Sequence, residues 1–212
     1  MTGINQVNIR EPIGLTFPSS LRSILRQDPD IILIGEVRDL TTMDIAIKAA
    51  LTGHLVLTTL HTNDTAGSIV RMLNMGIEPF LITSSVLMVT AQRLVRKLCP
   101  TCKVEFKPDA ELVARLNLSK DKPPVFYRPV GCGKCRSTGY KGRSVISEIL
   151  VLTPEVKSLI LKRASNEDIK QCARRQRMNT LRESGIQKAL ICDTSLDEVF
   201  RVTAGDQELH VD

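Results

Sequence analysis

The chain has 212 residues, a net charge of +6, no tryptophan and only 3% aromatic residues. This length suits one large domain or a domain with an appendage, and its core must be aliphatic. The longest uncharged helical stretch, residues 80–92, is too short to cross a bilayer, and no signal peptide opens the sequence. We therefore expect an intracellular protein whose cysteines are thiols or metal ligands, which excludes a disulfide framework.

The first elements of the chain are a helix and a buried strand. Thr16 as N-cap and Pro18 in the first turn predict a helix that runs to Gln27. The four aliphatic residues 31–34 predict a strand buried on both faces, as in a parallel sheet between helices. Glu36 follows directly, at the carboxyl end of that strand, where the sites of open α/β sheets lie.

The same pattern repeats after Glu36. Thr41 and Asp44 suggest a capping box for a second helix, which ends at Gly53. Residues 55–60 predict a second buried strand, closed by His61.

Two further helices are predicted before the character of the sequence changes. Asn63 or Asp64 caps the first of them, which ends near Gly76, and Pro79 opens a long helix that reaches about Leu98. Strands alternating with helices through short links indicate an α/β fold with a parallel, doubly wound sheet.

Glu36 and His61 are the candidate catalytic residues. Carboxyl ends of parallel strands meet at one sheet edge, so the carboxylate and the imidazole are expected to lie together, with Thr62 beside them. Such a pair suits hydrolysis of a phosphoanhydride, in which the carboxylate orients water and the imidazole senses phosphate. A solvated glutamate and a structural histidine are the alternative interpretation.

Two C-x-x-C pairs form the strongest local motif. They are Cys99 with Cys102 and Cys132 with Cys135. Two such turns supply the four thiolates that structural zinc prefers, whereas a redox role is the weaker alternative for two pairs in succession. The remaining cysteines, Cys172 and Cys192, lack ligand spacing and are interpreted as core thiols.

The segment between and around these pairs holds most of the excess charge. Residues 99–150 carry ten basic and five acidic side chains. An anionic partner would therefore meet this segment first.

After the second pair the sequence predicts one strand, Ser144 to Val151, followed by helices. The expected helices span 154–163, 166–176 and 181–191, with a last one behind Ser195 in which Glu198 completes a capping box. We therefore divide the chain into a core at 1–98, a tetracysteine segment at 99–143 and a mostly helical subdomain at 144–212.

A phosphate-binding loop is absent from the sequence. No G-x-x-x-x-G-K-[ST] motif occurs, and the Gly133-Lys134 pair fails the pattern because position 128 is Arg and position 135 is Cys.

Several motifs together resemble the secretion ATPases that drive type II secretion and type IV pilus assembly. The stretches that carry the resemblance are 21–30, 31–39, 52–63, 91–94, the two cysteine pairs and 139–143. The resemblance extends from about Gly3 to Ala204. Retraction ATPases of pili lack the tetracysteine segment, so the resemblance indicates the assembly or secretion branch.

The resemblance implies a fold and an activity. Residues 31–36 would be the Walker B strand, with Glu36 as catalytic acid, and 53–61 the histidine box. Gly35, His61 and Thr62 would contact ATP, and Mg²⁺ would accompany the nucleotide. The fold would be the C-terminal half of a RecA-like P-loop NTPase sheet, with a tetracysteine zinc segment and a small helical C-terminal subdomain.

The resemblance also implies a cellular setting. The phosphate-binding loop of the family would lie upstream, so the chain is expected to be a fragment or a truncated gene product that is inactive alone. Intact members would form homo-hexamers at the cytoplasmic face of the bacterial inner membrane and act with its platform proteins.

The rival interpretation is a zinc-stabilised binding module that contacts nucleic acid or acidic lipid through the basic segment. Only Phe106, Phe126 and Tyr127 interleave with its cations, which leaves little for base stacking, so no nucleic acid is expected. Nucleic-acid binding that survives moderate salt would favour the rival.

Overall fold

The computed structural model of the chain describes residues 3–116 and 124–205. The helices are α1 (Phe17–Leu25), α2 (Leu40–Leu51), α3 (Thr65–Asn74), α4 (Pro79–Ser85), α5 (Ala110–Arg115), α6 (Pro154–Leu161), α7 (Asn166–Arg175), α8 (Leu181–Leu190) and α9 (Leu196–Val202). The strands are β1 (Ile31–Ile34), β2 (Leu55–Thr58), β3 (Met88–Leu98), β4 (Val104–Phe106), β5 (Phe126–Arg128) and β6 (Tyr140–Val151). No helix in the described ranges has the length and apolar composition of a membrane span.

The described residues pack into two compact units. One runs to Val89 and adds Leu150–Ala173, and the other comprises Thr90–Ile149 and the chain from Arg174 onward. The first unit holds β1, β2, α1 to α4, α6 and most of α7, and the second holds the tetracysteine segment, α8 and α9. The functional division at residues 98 and 143 stays a prediction.

The predicted strand–helix–strand unit is confirmed. β1 pairs with β2 in parallel, with Ile31 opposite Leu55 and Ile34 opposite Thr58, and α2 makes the crossover between them and packs against β2. The carboxyl ends of both strands therefore lie at one edge of the sheet.

The prediction that these strands are buried on both faces is wrong for this chain. Ile32 and Ile34 are buried, whereas Ile31 and Leu33 on the opposite face are 61% and 74% exposed. Leu55 and Leu57, their partners in β2, are exposed on that same face. The reason is that helices cover one face of this two-stranded ribbon, so alternate side chains stay in contact with solvent.

Of the first three predicted helix starts, two are confirmed and one is wrong. Thr16 accepts a hydrogen bond from Ser19 N in a full capping box, and Asp64 caps α3. The cap of α2 is Asp39 rather than Thr41: its carboxylate accepts from Thr42 N at 2.8 Å and from the Thr42 hydroxyl at 2.7 Å. Because the Asp39 carboxylate accepts from both the Thr42 amide and the Thr42 hydroxyl, it caps the helix, which begins two residues earlier than expected.

The long helix expected from Pro79 to Leu98 is also wrong. α4 ends at Ser85, the backbone turns extended at Val86, and β3 follows and pairs with β6 in a two-stranded sheet. Burial alternates along β3 with period two up to Val95, which packs in a core cluster with Ile146 and Leu181. Pairing with a distant strand therefore overrides the helical pattern. The predicted 144–151 strand is β6, which begins four residues earlier.

The capping box predicted for the last helix forms only in part. Ser195 Oγ accepts from Glu198 N, but the Glu198 carboxylate turns away from the cap. It accepts from Arg96 N at 3.0 Å, from Arg96 Nη2 at 2.6 Å and from Arg201 Nη2 at 2.7 Å, and its side chain is fully buried. Two cations separated by about a hundred residues in sequence thus bind one carboxylate, which fixes α9 against β3.

We expect Glu198→Gln to lower the free energy of unfolding by about 2–3 kcal/mol, because a buried charge-paired acceptor is lost while both arginines regain water. Burial acts to raise the pKa of Glu198, but hydrogen bonds from Arg201 and Arg96 outweigh it and lower the pKa to about 2. This stabilisation is present above the unfolded-state pKa and is lost as the pH falls toward 2. Urea unfolding at pH 7 and pH 3, with the exposed Glu111→Gln as control, measures both effects. Equal urea midpoints for Glu198→Gln and the wild type at pH 7 would contradict a stabilising role for the Glu198 carboxylate.

Candidate functional site

The two candidate catalytic residues meet at the carboxyl edge of the β1–β2 sheet. Glu36 lies two residues after the end of β1, and His61 lies three residues after the end of β2. The His61 Nε2 atom is 2.6 Å from Glu36 Oε2. An ionised carboxylate can only accept a hydrogen bond, so Nε2 carries the proton in this contact.

A third side chain completes the arrangement. Arg38 forms an ion pair with the other carboxylate oxygen, Oε1 of Glu36. The hydrogen bond from His61 is the main cause that lowers the pKa of Glu36; Arg38 lowers it further, and partial burial opposes both. The Glu36 side chain is 25% exposed and that of His61 is 81% exposed, so an ionised carboxylate faces an accessible edge.

The loop that carries His61 is fixed on both sides. Before His61, Val37 N donates to the Thr59 carbonyl at 3.1 Å, which ties the loop to the segment after Glu36. After His61, the Thr62 hydroxyl is 2.6 Å from Ser68 Oγ, and Asp64 caps α3. The Thr62 hydroxyl is therefore already engaged by α3, and the predicted contact of Thr62 with a nucleotide stays a prediction.

Gly35 lies next to Glu36 at this edge, whereas His54 lies at the far end of β2. A Cβ at Gly35 would meet no atom of the described residues within 4 Å, so this backbone lies open toward the edge. His54 lies at the opposite end of β2, where its Nδ1 is 3.0 Å from the Ala49 carbonyl oxygen. That contact places His54 at the end of α2 and away from Glu36, as the sequence predicts.

Arg38 was not among the predicted site residues. The available signal was its position two residues after Glu36, close behind the end of a predicted strand. A basic residue at that spacing could have been paired with the carboxylate from the sequence alone.

The four predicted metal ligands come together in the second unit. The Sγ atoms of Cys99, Cys102, Cys132 and Cys135 all lie within 4.8 Å of one another. The pairs Cys99–Cys132, Cys102–Cys135 and Cys132–Cys135 are 3.9, 3.8 and 3.8 Å apart. A tetrahedral zinc ion with Zn–S bonds of about 2.3 Å requires sulfur atoms about 3.8 Å apart, so this donor set fits zinc.

The backbone around the cysteines is shaped to present them. Cys132 N and Gly139 N donate to Cys135 Sγ at 3.1 and 3.2 Å, and Gly131 N donates to Cys102 Sγ at 3.4 Å. Gly139 has a positive φ, and a Cβ there would lie 2.4 Å from Pro129 Cβ, so only glycine fits this turn. Burial opposes ionisation of Cys135, but the N–H donors from Cys132 and Gly139 lower its pKa to about 6.

Cys172 and Cys192 lie outside this cluster. Cys172 is buried in α7, as expected for a core thiol, whereas that prediction is wrong for Cys192, which is half-buried in the turn between α8 and α9. The Cys192 carbonyl accepts a hydrogen bond from Lys103 Nζ at 3.0 Å, so its backbone ties that turn to the tetracysteine segment.

The fold of the chain is similar to the folds of two solved structures. The described residues superpose on the pilus retraction motor PilT with bound ADP (TM-score 0.61, 23% identity, 89% of this chain and 44% of that chain). They also superpose on the ATPase DotB of Legionella pneumophila (TM-score 0.62, 22% identity, 96% of this chain and 48% of that chain).

Residues 1–201 match the Type II/IV secretion system protein family, and the chain belongs to it. It is 51% identical, over 95% of its length, to the type IV pilus assembly ATPase PilB of Thermus thermophilus. It is 45% identical, over 96% of its length, to the type II secretion system protein E of Pseudomonas aeruginosa. The chain spans only 23% and 40% of the lengths of those two relatives.

Proposed function

We propose that these 212 residues are part of an ATP-hydrolysing motor that powers type IV pilus assembly or type II protein secretion. The observation that carries the proposal is the 2.6 Å contact between His61 and Glu36 at the carboxyl edge of two parallel strands. Relatives that carry the names pilus assembly ATPase and secretion ATPase support the same activity.

In this proposal Glu36 acts on the attacking water. Its pKa is lowered by His61 and Arg38, so the carboxylate is ionised at neutral pH and can orient the water or accept its proton. The exposed imidazole of His61 lies beside it and would contact the γ-phosphate, with Gly35 and Thr62 lining the same edge. Mg²⁺ would accompany the nucleotide, held mainly through the phosphates of ATP, whose charge it would neutralise.

The wider assembly is part of the same proposal. We infer that β1 and β2 belong to the C-terminal half of a RecA-like sheet and that the exposed face of Ile31 and Leu33 is covered there by further elements of the motor. The motor would be a homo-hexamer at the cytoplasmic face of the inner membrane, in contact with platform proteins. The four cysteines would hold a structural zinc ion in each subunit.

The chain alone is expected to hydrolyse ATP no faster than background. None of its residues forms a G-x-x-x-x-G-K-[ST] loop, so Glu36 has no tightly held γ-phosphate on which to act. Phosphate release by the purified chain, measured beside Glu36→Gln, checks this expectation. If the wild-type chain hydrolyses ATP and Glu36→Gln does not, the chain binds ATP through residues other than a phosphate-binding loop.

A further inference from the structure

A partly buried ion pair joins α7 to the loop that carries His61. Lys170 Nζ lies 3.4 Å from Asp64 Oδ2, and each side chain is only 14% exposed. The two residues are separated by 106 positions in sequence, yet both belong to the first compact unit. A pair so poorly exposed differs from the surface ion pairs of this chain, such as Lys48 with Asp44, whose side chains are 66% and 37% exposed.

Asp64 is the residue that ends the His61 loop. It follows His61 by three positions and is the N-cap of α3, with Oδ1 accepting from Gly67 N at 2.7 Å. A Cβ at Gly67 would lie 2.6 Å from Asp64 Oδ1, so the missing side chain leaves room for this carboxylate. One oxygen of Asp64 thus holds the helix, and the other faces Lys170.

Lys170 provides the charge partner of the Asp64 carboxylate. A carboxylate removed from water needs a partner for its charge, and Lys170 supplies one from a separate element. The other end of the loop is held independently, by the Thr59 carbonyl and Val37 N. His61 lies between that attachment and the contacts on its other side, which are the Thr62 hydroxyl on Ser68 of α3 and, next along the chain, Asp64 with Lys170.

We propose that Lys170 is a positioning residue, which holds Asp64 and through it keeps His61 in contact with Glu36. This role matters for catalysis only through the proposed function, in which Glu36 and His61 act on ATP. Lys170 would then connect α7, through Asp64, to the edge where ATP is hydrolysed. Its structural content, the dependence of the His61–Glu36 contact on Lys170, can be tested without ATP.

The test is the titration of the Glu36 carboxyl carbon by NMR in the complete 212-residue chain. Because His61 is the main cause of the lowered pKa of Glu36, loss of the contact should raise that pKa toward its ordinary value. We expect the rise in Lys170→Met, together with loss of the nuclear Overhauser effects between His61 and Glu36. Lys170→Arg should retain the wild-type titration, and Lys48→Met, which breaks the exposed pair in α2, is the matched control.

A double variant keeps the test decisive if Lys170→Met folds poorly. Lys170→Met with Asp64→Asn leaves no unpaired buried charge, and asparagine is an equally good N-cap. Its Glu36 pKa should be raised as much as in Asp64→Asn alone, because Lys170 acts only through Asp64. A wild-type Glu36 titration in the folded double variant would overturn the proposal.

The outcome separates this inference from the proposed function. If the Glu36 titration responds to Lys170 but Glu36→Gln leaves ATP hydrolysis by a motor that contains this chain unchanged, the positioning stands and the catalytic assignment fails. If Glu36 proves essential and its titration ignores Lys170, the positioning role alone is wrong.

Discussion

Replacing Cys102 with serine is expected to abolish the zinc binding proposed for the chain and to unfold the tetracysteine segment. Structural zinc sites contribute about 10–16 kcal/mol of binding free energy in small peptides at neutral pH. The four Sγ atoms lie within 4.8 Å of one another, so without the ion they would be four crowded thiols. Elemental analysis should give one zinc per wild-type chain and less than a tenth of that in the variant.

The loss of structure in the variant should extend to residues that are hydrogen-bonded to the tetracysteine segment or lie next to it. Cys99 N donates to the Gly139 carbonyl and Leu98 N to the Asp193 carbonyl, so the turn between α8 and α9 should lose order with the cysteines. The parallel β1–β2 pair shares none of these hydrogen bonds and should keep its amide signals. Chelation of the wild-type zinc should reproduce the pattern.

Cys172→Ala is the control for the zinc experiment, because Cys172 is a core residue of α7 outside the four-sulfur cluster. Its zinc content should equal that of the wild type. Four freely alkylated thiols and no zinc in the folded wild-type chain would reject the site.

Local signals in the sequence predicted several helix starts. Caps and prolines act through their own neighbours, so Thr16, Asp64 and Ser195 mark helix starts at positions that the structure confirms. The α2 start was missed because Asp39 competes with Thr41 for the same role, and a carboxylate reaches both Thr42 donors.

Features that depend on distant residues were not predictable in the same way. Residues 88–98 form β3 because β6 lies beside them, and no neighbour in sequence reveals that partner. Glu198 fits the pattern of a capping box, but Arg96, about a hundred residues away, offers its carboxylate a better environment than the cap does. In each case a long-range contact decides between two locally acceptable structures.

The residues of the candidate site also fall into those that the sequence could predict and those that depend on distant contacts. Glu36 and His61 could be placed together because parallel strands bring their carboxyl ends to one edge, which is a rule of topology and not of contact detail. The four cysteines could be grouped because ligand spacing is a local property. Lys170 had no such signal, since its role depends on the packing of α7 near Asp64.

The largest catalytic effect is expected from Glu36→Gln in a protein in which these residues accompany a phosphate-binding loop. Glutamine keeps the shape of the side chain and its contact with His61 but cannot accept the proton of the attacking water. Positioned general acid–base groups contribute about 10²–10⁴-fold, or roughly 3–5 kcal/mol, so kcat should fall by that factor. ATP affinity should stay near wild type, because the triphosphate is gripped mainly by the phosphate-binding loop. Steady-state kcat beside equilibrium nucleotide binding measures both quantities.

Two histidine variants complete this experiment. His61→Ala should lower kcat and weaken discrimination of ATP from ADP, because the imidazole 2.6 Å from Glu36 is the group expected to contact the γ-phosphate. His54→Ala is the matched control: its ring contacts the Ala49 carbonyl at the far end of β2, so stability should change more than kcat. A near-normal kcat in Glu36→Gln would mean that another carboxylate activates the water, and the pairing of Glu36 with His61 and Arg38 would then be structural.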